Sequence, residues 1–350
     1  MARQTRSSQE WTAIGRAAIL DLLDEKFAAP WAEVEARLGR GWKNFPTIQP
    51  IQLGGARRQL RAEYLIIEET SHQTPPVTML RLPYPPGRKR ELERLLGRRR
   101  KMYRKYMSWA GDLSLCGRHA EHVVLASAQA AASQAQLWVP PQAVGQINEV
   151  QGATLQRGPL DALAYILDPQ DVNLRASLVI EVKNIHRWIY PQAPELWELL
   201  VKAAELALTT PVLPVLVCVR AAWQTGQLAK DIGFLTCQLR NQIFSPNIAE
   251  EDFNNIADEF GLDMIRHDGP LEPITSFLTR TVHLSPPPSL PEEQIPWYQR
   301  QSDRFQALAQ VVLDHAHMAD TLTSAGRRSV FASFRASTEA AMSWPRMGGW

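Results

Sequence analysis

Apolar residues recur at helical spacing from Trp11 to Phe27, where Trp11, Ile14, Ala18, Leu22 and Leu23 share one face. Pro30 opens a second, shorter helix in which Trp31, Val34 and Leu38 align before Gly39 ends it. A third helix is predicted over about 50–64, with Ala56, Leu60 and Tyr64 inward and Arg57, Arg58 and Arg61 turned away. Two strand-like runs, 65–69 and 77–82, flank the turn-forming stretch Ser71-His72-Gln73-Thr74-Pro75-Pro76. From about Leu113 the pattern becomes mixed. A helix is predicted over 118–134 and strands over 136–139, 147–155, 161–167 and 176–184. An amphipathic helix follows over 194–208, with Leu196, Leu199, Leu200, Ala203, Ala204 and Leu206 on one side, and then a buried strand over 211–220. That order predicts an α/β sandwich around one central sheet. Beyond it come a helix over 253–263, a short element over 274–282, and a stiff proline-rich linker, Ser285 to Pro291. Helices over 299–321 and 327–342 complete the chain and carry no recognisable chemistry; they read as a cover, a docking surface or an oligomerisation element.

Charge divides the chain. The net charge of +2 conceals a basic part, residues 1–110 with 21 Lys/Arg against 11 Asp/Glu, and an acidic remainder with 17 against 25. A basic module of this kind suits a polyanion, nucleic acid or membrane surface. Its densest run holds Arg88, Lys89, Arg90, Arg94, Arg98, Arg99, Arg100, Lys101, Arg104 and Lys105 against only Glu91 and Glu93. As a helix this run would be basic around most of its circumference. Leu92, Leu95, Leu96 and Met102 give only a partial apolar stripe, which favours phosphate neutralisation over membrane burial. An extended, solvated linker is the plain alternative. The three N-terminal helices and hairpin resemble a winged helix-turn-helix. That resemblance implies a third helix in the major groove of duplex DNA, with Arg57, Arg58 and Arg61 on base edges or phosphates. A merely solvated arginine face, or one that docks another protein, is the alternative. No apolar run approaches the roughly 18–20 residues that span a bilayer, and the start of the chain is polar. Cys116, Cys218 and Cys237 are widely spaced without a CxxC pair, which argues against a disulfide framework or structural zinc. The expectation is a cytoplasmic protein without a membrane partner.

The sharpest chemistry lies between Pro159 and Asn184. An apolar strand beginning at Asp161 is followed by Asp168-Pro169-Gln170-Asp171-Val172-Asn173, all turn formers except Val172, and then by a second apolar strand ending Glu181-Val182-Lys183. A hairpin centred on Asp171 sets position 161 opposite position 181, with Cβ atoms about 5 Å apart. Two carboxylates that close repel each other, and a divalent cation between them reverses the sign. Hard carboxylate oxygens suit Mg²⁺, with Mn²⁺ as a substitute. The two-residue period puts Lys183 on the face of Glu181, with Ile180 and Val182 pointing the other way. An ammonium there would orient a water and stabilise charge on a reacting phosphate. The plain alternative is a salt-bridged Glu181/Lys183 surface pair.

Pro159-Leu160-Asp161 followed by Glu181-Val182-Lys183 at the end of an apolar strand resembles the PD-(D/E)xK, or restriction-endonuclease-like, nucleases. The resemblance covers about residues 113–245. It implies an αβββαβ core, Mg²⁺-dependent hydrolysis of DNA, and catalytic roles for Asp161, Glu181 and Lys183. It also implies a further metal-contacting acid on the first helix, at Glu121, and polar groups from the helix after the lysine strand, where Gln192 and Lys202 are candidates. The proline stands two residues before the aspartate instead of beside it. The expected organisation is a winged helix-turn-helix over 1–86, a basic linker helix over 87–110, a nuclease domain over 111–283, and a proline linker with helical extension over 284–350. Arg88, Lys89, Arg90, Arg98, Arg99, Arg100 and Lys101 join Arg57, Arg58 and Arg61 as expected DNA contacts. Double-strand cutting often uses two active sites, so a homodimer is also expected. Restriction, repair and defence roles stay open. The competing readings are a non-catalytic DNA-binding regulator on a nuclease scaffold, and an interaction protein whose basic arm holds RNA or an acidic partner. His119, His122, His315 and His317 lack a partner cluster with zinc-like spacing, and no GxSxG elbow, Walker loop or GxGxxG is present. Trp188, Tyr190 and Trp197 read as packing residues before stacking platforms.

Overall fold

A computed structural model of the chain describes residues 6–167, 174–283 and 296–320, together with Phe334, Ser337 and Thr338. The expected turn at 168–173, the proline linker and most of the helix over 327–342 lie outside the described residues. The chain divides into two compact units: Met1–Cys116 with Pro246–Arg266, and Gly117–Ser245 with His267–Trp350.

In the first unit, α1 (Ser8–Lys26) begins with a capping box in which the Ser7 hydroxyl accepts from Glu10 N–H and the Glu10 carboxylate accepts from Ser7 N–H. It is followed by β1 (Ala28–Pro30), α2 (Trp31–Leu38), α3 (Pro50–Ala62), β2 (Ile67–Thr70) and β3 (Thr78–Arg81). The strands form an antiparallel sheet in the order β1-β3-β2. Ile19, Leu22, Leu23, Val34, Leu38, Leu53 and Leu60 are buried together beneath it. Gly15 lets α1 and α3 approach closely, because a Cβ there would stand 3.1 Å from that of Ala56. These are helix-turn-helix-like elements, as their periodicity predicts. Tyr64 departs from the expectation. Instead of turning inward it is 84% exposed, because α3 ends at Ala62 and Tyr64 takes a left-handed conformation (φ 58°) that sends the chain toward β2.

The basic run forms α4 (Lys89–Gly111), and it is not the evenly basic rod expected from composition. Leu92, Leu96, Arg99, Tyr106 and Trp109 are buried along it. Part of its partner comes from far along the sequence: α8 in chain order (Glu250–Phe260), where Phe253 stacks on Trp109 and Phe260 meets Tyr103 edge-on. Arg37 donates to the carbonyl oxygens of Asp258 (3.1 Å) and Glu259 (2.9 Å). A guanidinium at the carboxyl end of a helix meets carbonyls that have no partner within the helix.

The second unit is built on a five-stranded sheet. Helix α5 (Arg118–Ala132) leads to β4 (Leu137–Trp138), a small hairpin of β5 (Glu149–Val150) and β6 (Ala153–Thr154), then β7 (Ala162–Leu167) and β8 (Leu174–Lys183). Next come α6 (Pro194–Ala207), β9 (Val212–Cys218), α7 (Trp223–Ile232) and β10 (Leu235–Gln238), and later α9 (Glu272–His283) and α10 (Trp297–Asp320). The strand order is β10-β9-β8-β7-β4. β4, β7 and β8 are antiparallel, whereas β8, β9 and β10 run parallel. A parallel neighbour needs a crossover, and α6 supplies the one from β8 to β9. Leu196, Leu199, Leu200 and Ala203 of α6 pack with Leu163, Val179 and Leu216 of the sheet and with Phe305, Leu308 and Val312 of α10. The result is a mixed sheet flanked by helices. The predicted strand over 147–155 is broken into the β5–β6 hairpin because Gln151 and Gly152 both take positive φ. Among the described residues no helix is long and apolar enough to cross a membrane. All three cysteines are buried.

Candidate active site

Strands β7 and β8 pair with Ala162 opposite Ile180 and Leu163 opposite Val179. One step further along that register lie Asp161 and Glu181, the pair expected from a turn centred on Asp171. Asp161 reaches across, and its Oδ2 accepts the Val182 N–H at 2.6 Å. Glu181 shares the parity of Val179, so it points toward the α6 side of the sheet and is only 1% exposed. Lys202 of α6, itself 2% exposed, meets it there, with Nζ 3.2 and 3.4 Å from the two carboxylate oxygens and 2.8 Å from the Pro159 carbonyl. Lys183 Nζ bonds Glu181 Oε1 at 2.8 Å and Glu198 Oε2 at 2.9 Å. Glu198 Oε1 also lies 3.4 Å from Lys202. Two glutamates and two lysines thus alternate around the end of β8, beside Asp161.

The electrostatics follow from burial and crowding. The Asp161 carboxyl is pushed up to about 7, first by burial and then by the Glu181 charge, with the Val182 N–H opposing and Glu121 adding a further push. Glu121, near the start of α5, is raised chiefly by burial, partly offset by Arg118 and increased by Glu181. Burial alone would lower Lys183, but Glu181 and Glu198 outweigh it and hold the ammonium above its ordinary range. Burial would raise Glu198, but its bonds and attraction to the two lysines bring it below the usual carboxylate range. Asp161 and Glu121 therefore both feel the charge of Glu181. Among the described residues no group of three His, Cys, Asp or Glu side chains is arranged to hold a metal ion. The donors suited to a hard cation are the carboxylates of Asp161 and Glu181, and Mg²⁺ characteristically takes one or two such ligands and keeps its waters.

Sequence reasoning missed Glu198. Its signal was the i,i+4 spacing of Glu198 and Lys202 on α6, which faces the Glu181 strand. Gln192 lies in the turn before α6. His119 meets the His267 carbonyl through Nε2 at 2.7 Å. Trp197 is buried, and its Nε1 donates to the Pro191 carbonyl at 3.0 Å.

The expected DNA contacts fall into different environments. Arg57 bonds Glu68 at 2.7 Å and lies over the Trp31 ring, and Arg61 is 3.4 Å from Glu68. Arg58 is exposed on α3. Arg88 pairs with Glu91 at 3.0 Å and Lys89 with Glu93 at 3.9 Å. Arg90, Arg98 and Lys101 are exposed. Arg99 must be removed from the surface set: it is 2% exposed and ion-paired with Glu33 and Glu259, because α4 turns it toward the core. Arg100 is half-buried and bonds the Glu69 carboxylate at 2.8 Å.

No family model, curated protein or solved structure matches this chain. Fold and site together define a mixed α/β protein with helix-turn-helix-like elements toward its N-terminus and a buried acid–lysine cluster at one end of its central sheet.

Proposed function

We propose that this protein is a metal-dependent DNA endonuclease of the PD-(D/E)xK type, with an N-terminal winged helix-turn-helix that engages duplex DNA. The observation that carries the reading is the β7–β8 register, which brings Asp161 beside Glu181 with Lys183 on the same strand face. The mixed sheet reached in the order α5, β4, β7, β8, α6 and β9, with the β5–β6 hairpin inserted before β7, supports the reading. Asp161 and Glu181 would hold Mg²⁺ or Mn²⁺, with Glu121 adding negative potential. The mutual repulsion of these acids is what a cation would relieve. When bound, the ion would supply an acidified water and neutralise phosphate oxygen. Lys183 would turn its ammonium toward the scissile phosphate, Lys202 would hold Glu181 in place from α6, and Glu198 would orient Lys183. Arg58 and Arg61 on α3 would contact the duplex.

Incubation of the whole protein with single-stranded, duplex, methylated and branched DNA tests this reading. Cleavage with Mg²⁺ or Mn²⁺ that EDTA abolishes is the expected outcome. Absence of cleavage on every substrate would contradict it. One observation favours the non-catalytic regulator: Glu181 already has two lysine partners, so its charge is balanced without a cation. On that reading the protein binds duplex DNA in a salt-dependent way and leaves it intact.

A further inference from the structure

The cations of α4 sort by angle around the helix. At about 100° per residue, Arg90, Arg94, Arg98 and Lys101 fall within one narrow band. That band lies about 180° from the direction of Leu92, Leu96, Arg99 and Tyr106, the buried side of the helix. Packing of those four residues therefore fixes the rotation of α4 and holds the band outward. All four cations are exposed, and among the described residues none has a carboxylate partner. Their neighbours differ. Arg88 and Lys89 are paired with Glu91 and Glu93, Arg99 with Glu33 and Glu259, and Arg100 with Glu69. Toward the C-terminal end of α4, Lys105 bonds Asp252 at 2.5 Å, and Arg98 and Lys101 line a groove with Asp252, Asp258 and Glu259 without pairing to them. Cations without an ion pair among the described residues thus stand in a row that spans about 16 Å at 1.5 Å per residue, with Arg90 and Arg94 outside the groove that the acids of α8 line. On a duplex that length covers roughly five base-pair steps of 3.4 Å.

We infer that Arg90, Arg94, Arg98 and Lys101 form a stripe that grips the sugar–phosphate backbone of duplex DNA without reading its sequence. The inference rests on the function proposed above for the identity of the polyanion. The four side chains present point charges at rigid helical spacing, and neutralising a phosphate with each releases counterions. The stripe narrows the basic run to Arg90, Arg94, Arg98 and Lys101 and leaves out Arg88 and Lys89, which pair with Glu91 and Glu93.

The test is fluorescence anisotropy of the full chain with two labelled 30-base-pair duplexes of unrelated sequence, in EDTA, across about 50–300 mM salt. Substituting all four residues by Gln is expected to reduce the slope of log K against log salt by about 3.6, since each phosphate contact contributes about 0.9, and to weaken both duplexes alike. The R88Q/K89Q variant is expected to change the slope by less than about 1. If the fourfold variant melts early, R94Q alone is expected to reduce the slope by about 0.9. An unchanged slope, a loss confined to one duplex, or loss of single-stranded RNA binding with duplex binding intact would overturn the inference. A wild-type chain that binds neither duplex would instead sink the DNA-directed reading itself, and cleavage plays no part in either result.

Discussion

Asp161 is held against the end of β8 by its bond to Val182 N–H, while burial and the charges of Glu181 and Glu121 raise its carboxyl to about 7. An acid whose folded value exceeds its unfolded value of about 4 binds more protons when folded. Stability is then lost as pH rises from about 4 through about 7. In EDTA, Asp161→Asn is therefore expected to raise the melting temperature at pH 8, by roughly a few degrees, and to change it little at pH 4. Melting curves at the two pH values check this, and a variant less stable than wild type at pH 8 would contradict the crowding argument. Addition of Mn²⁺ should stabilise the wild-type chain more than the variant, because a ligand that binds the folded state raises its apparent stability.

Among the elements, α4 shows how far patterning carries and where it stops. Leu92, Leu96, Tyr106 and Trp109 form a helical stripe, but Arg99 interrupts it, and a residue-by-residue hydrophobic count then finds no continuous face. The guanidinium is accommodated because Glu33, fully buried on α2, requires a partner there: burial raises the Glu33 carboxyl, and Arg99 and Arg37 oppose that rise. Removing one member of a buried pair leaves the other uncompensated. Arg99→Ala is expected to destabilise the first unit by about 3–5 kcal/mol. Chemical denaturation followed by tryptophan fluorescence measures this, and a loss below about 1 kcal/mol would show that the pair contributes little. The β7–β8 hairpin was far more legible. Two apolar strands around a turn admit few registers, and the one found pairs Ala162 with Ile180, one step from Asp161 and Glu181, before a shift between Ile166 and Leu167. Short elements escaped notice because α7 and β10 hold too few periods to register, and the β5–β6 hairpin depends on backbone conformation at Gln151 and Gly152. The i,i+4 spacing of Glu198 and Lys202 was visible on α6, but that Lys202 meets Glu181 and Glu198 meets Lys183 are tertiary contacts between α6 and β8 that this spacing does not fix.

Across the whole molecule, the basic N-terminal part and acidic remainder seen in the sequence correspond only loosely to the two compact units, since Pro246–Arg266 joins the first unit and brings carbonyl oxygens of α8 to Arg37 and its acids to Arg99 and Lys105. Nothing in the hydrophobic pattern announces that return, because α8 reads like any amphipathic helix of the surrounding domain. The first unit thus contains both unbalanced and balanced cations, and the second unit contains the acid–lysine cluster. On the proposed function they would serve as a grip and a catalytic centre on one polypeptide. Plasmid nicking with Mg²⁺, run beside duplex binding in EDTA, tests that account most directly on the whole chain and its Asp161→Asn, Glu181→Gln and Lys183→Met variants. The wild type should nick, and each variant should lose at least about 10²-fold in rate, the scale of removing one preorganised charge from a reacting centre, while still binding the duplex. Nicking at the wild-type rate by any of the three variants would contradict it.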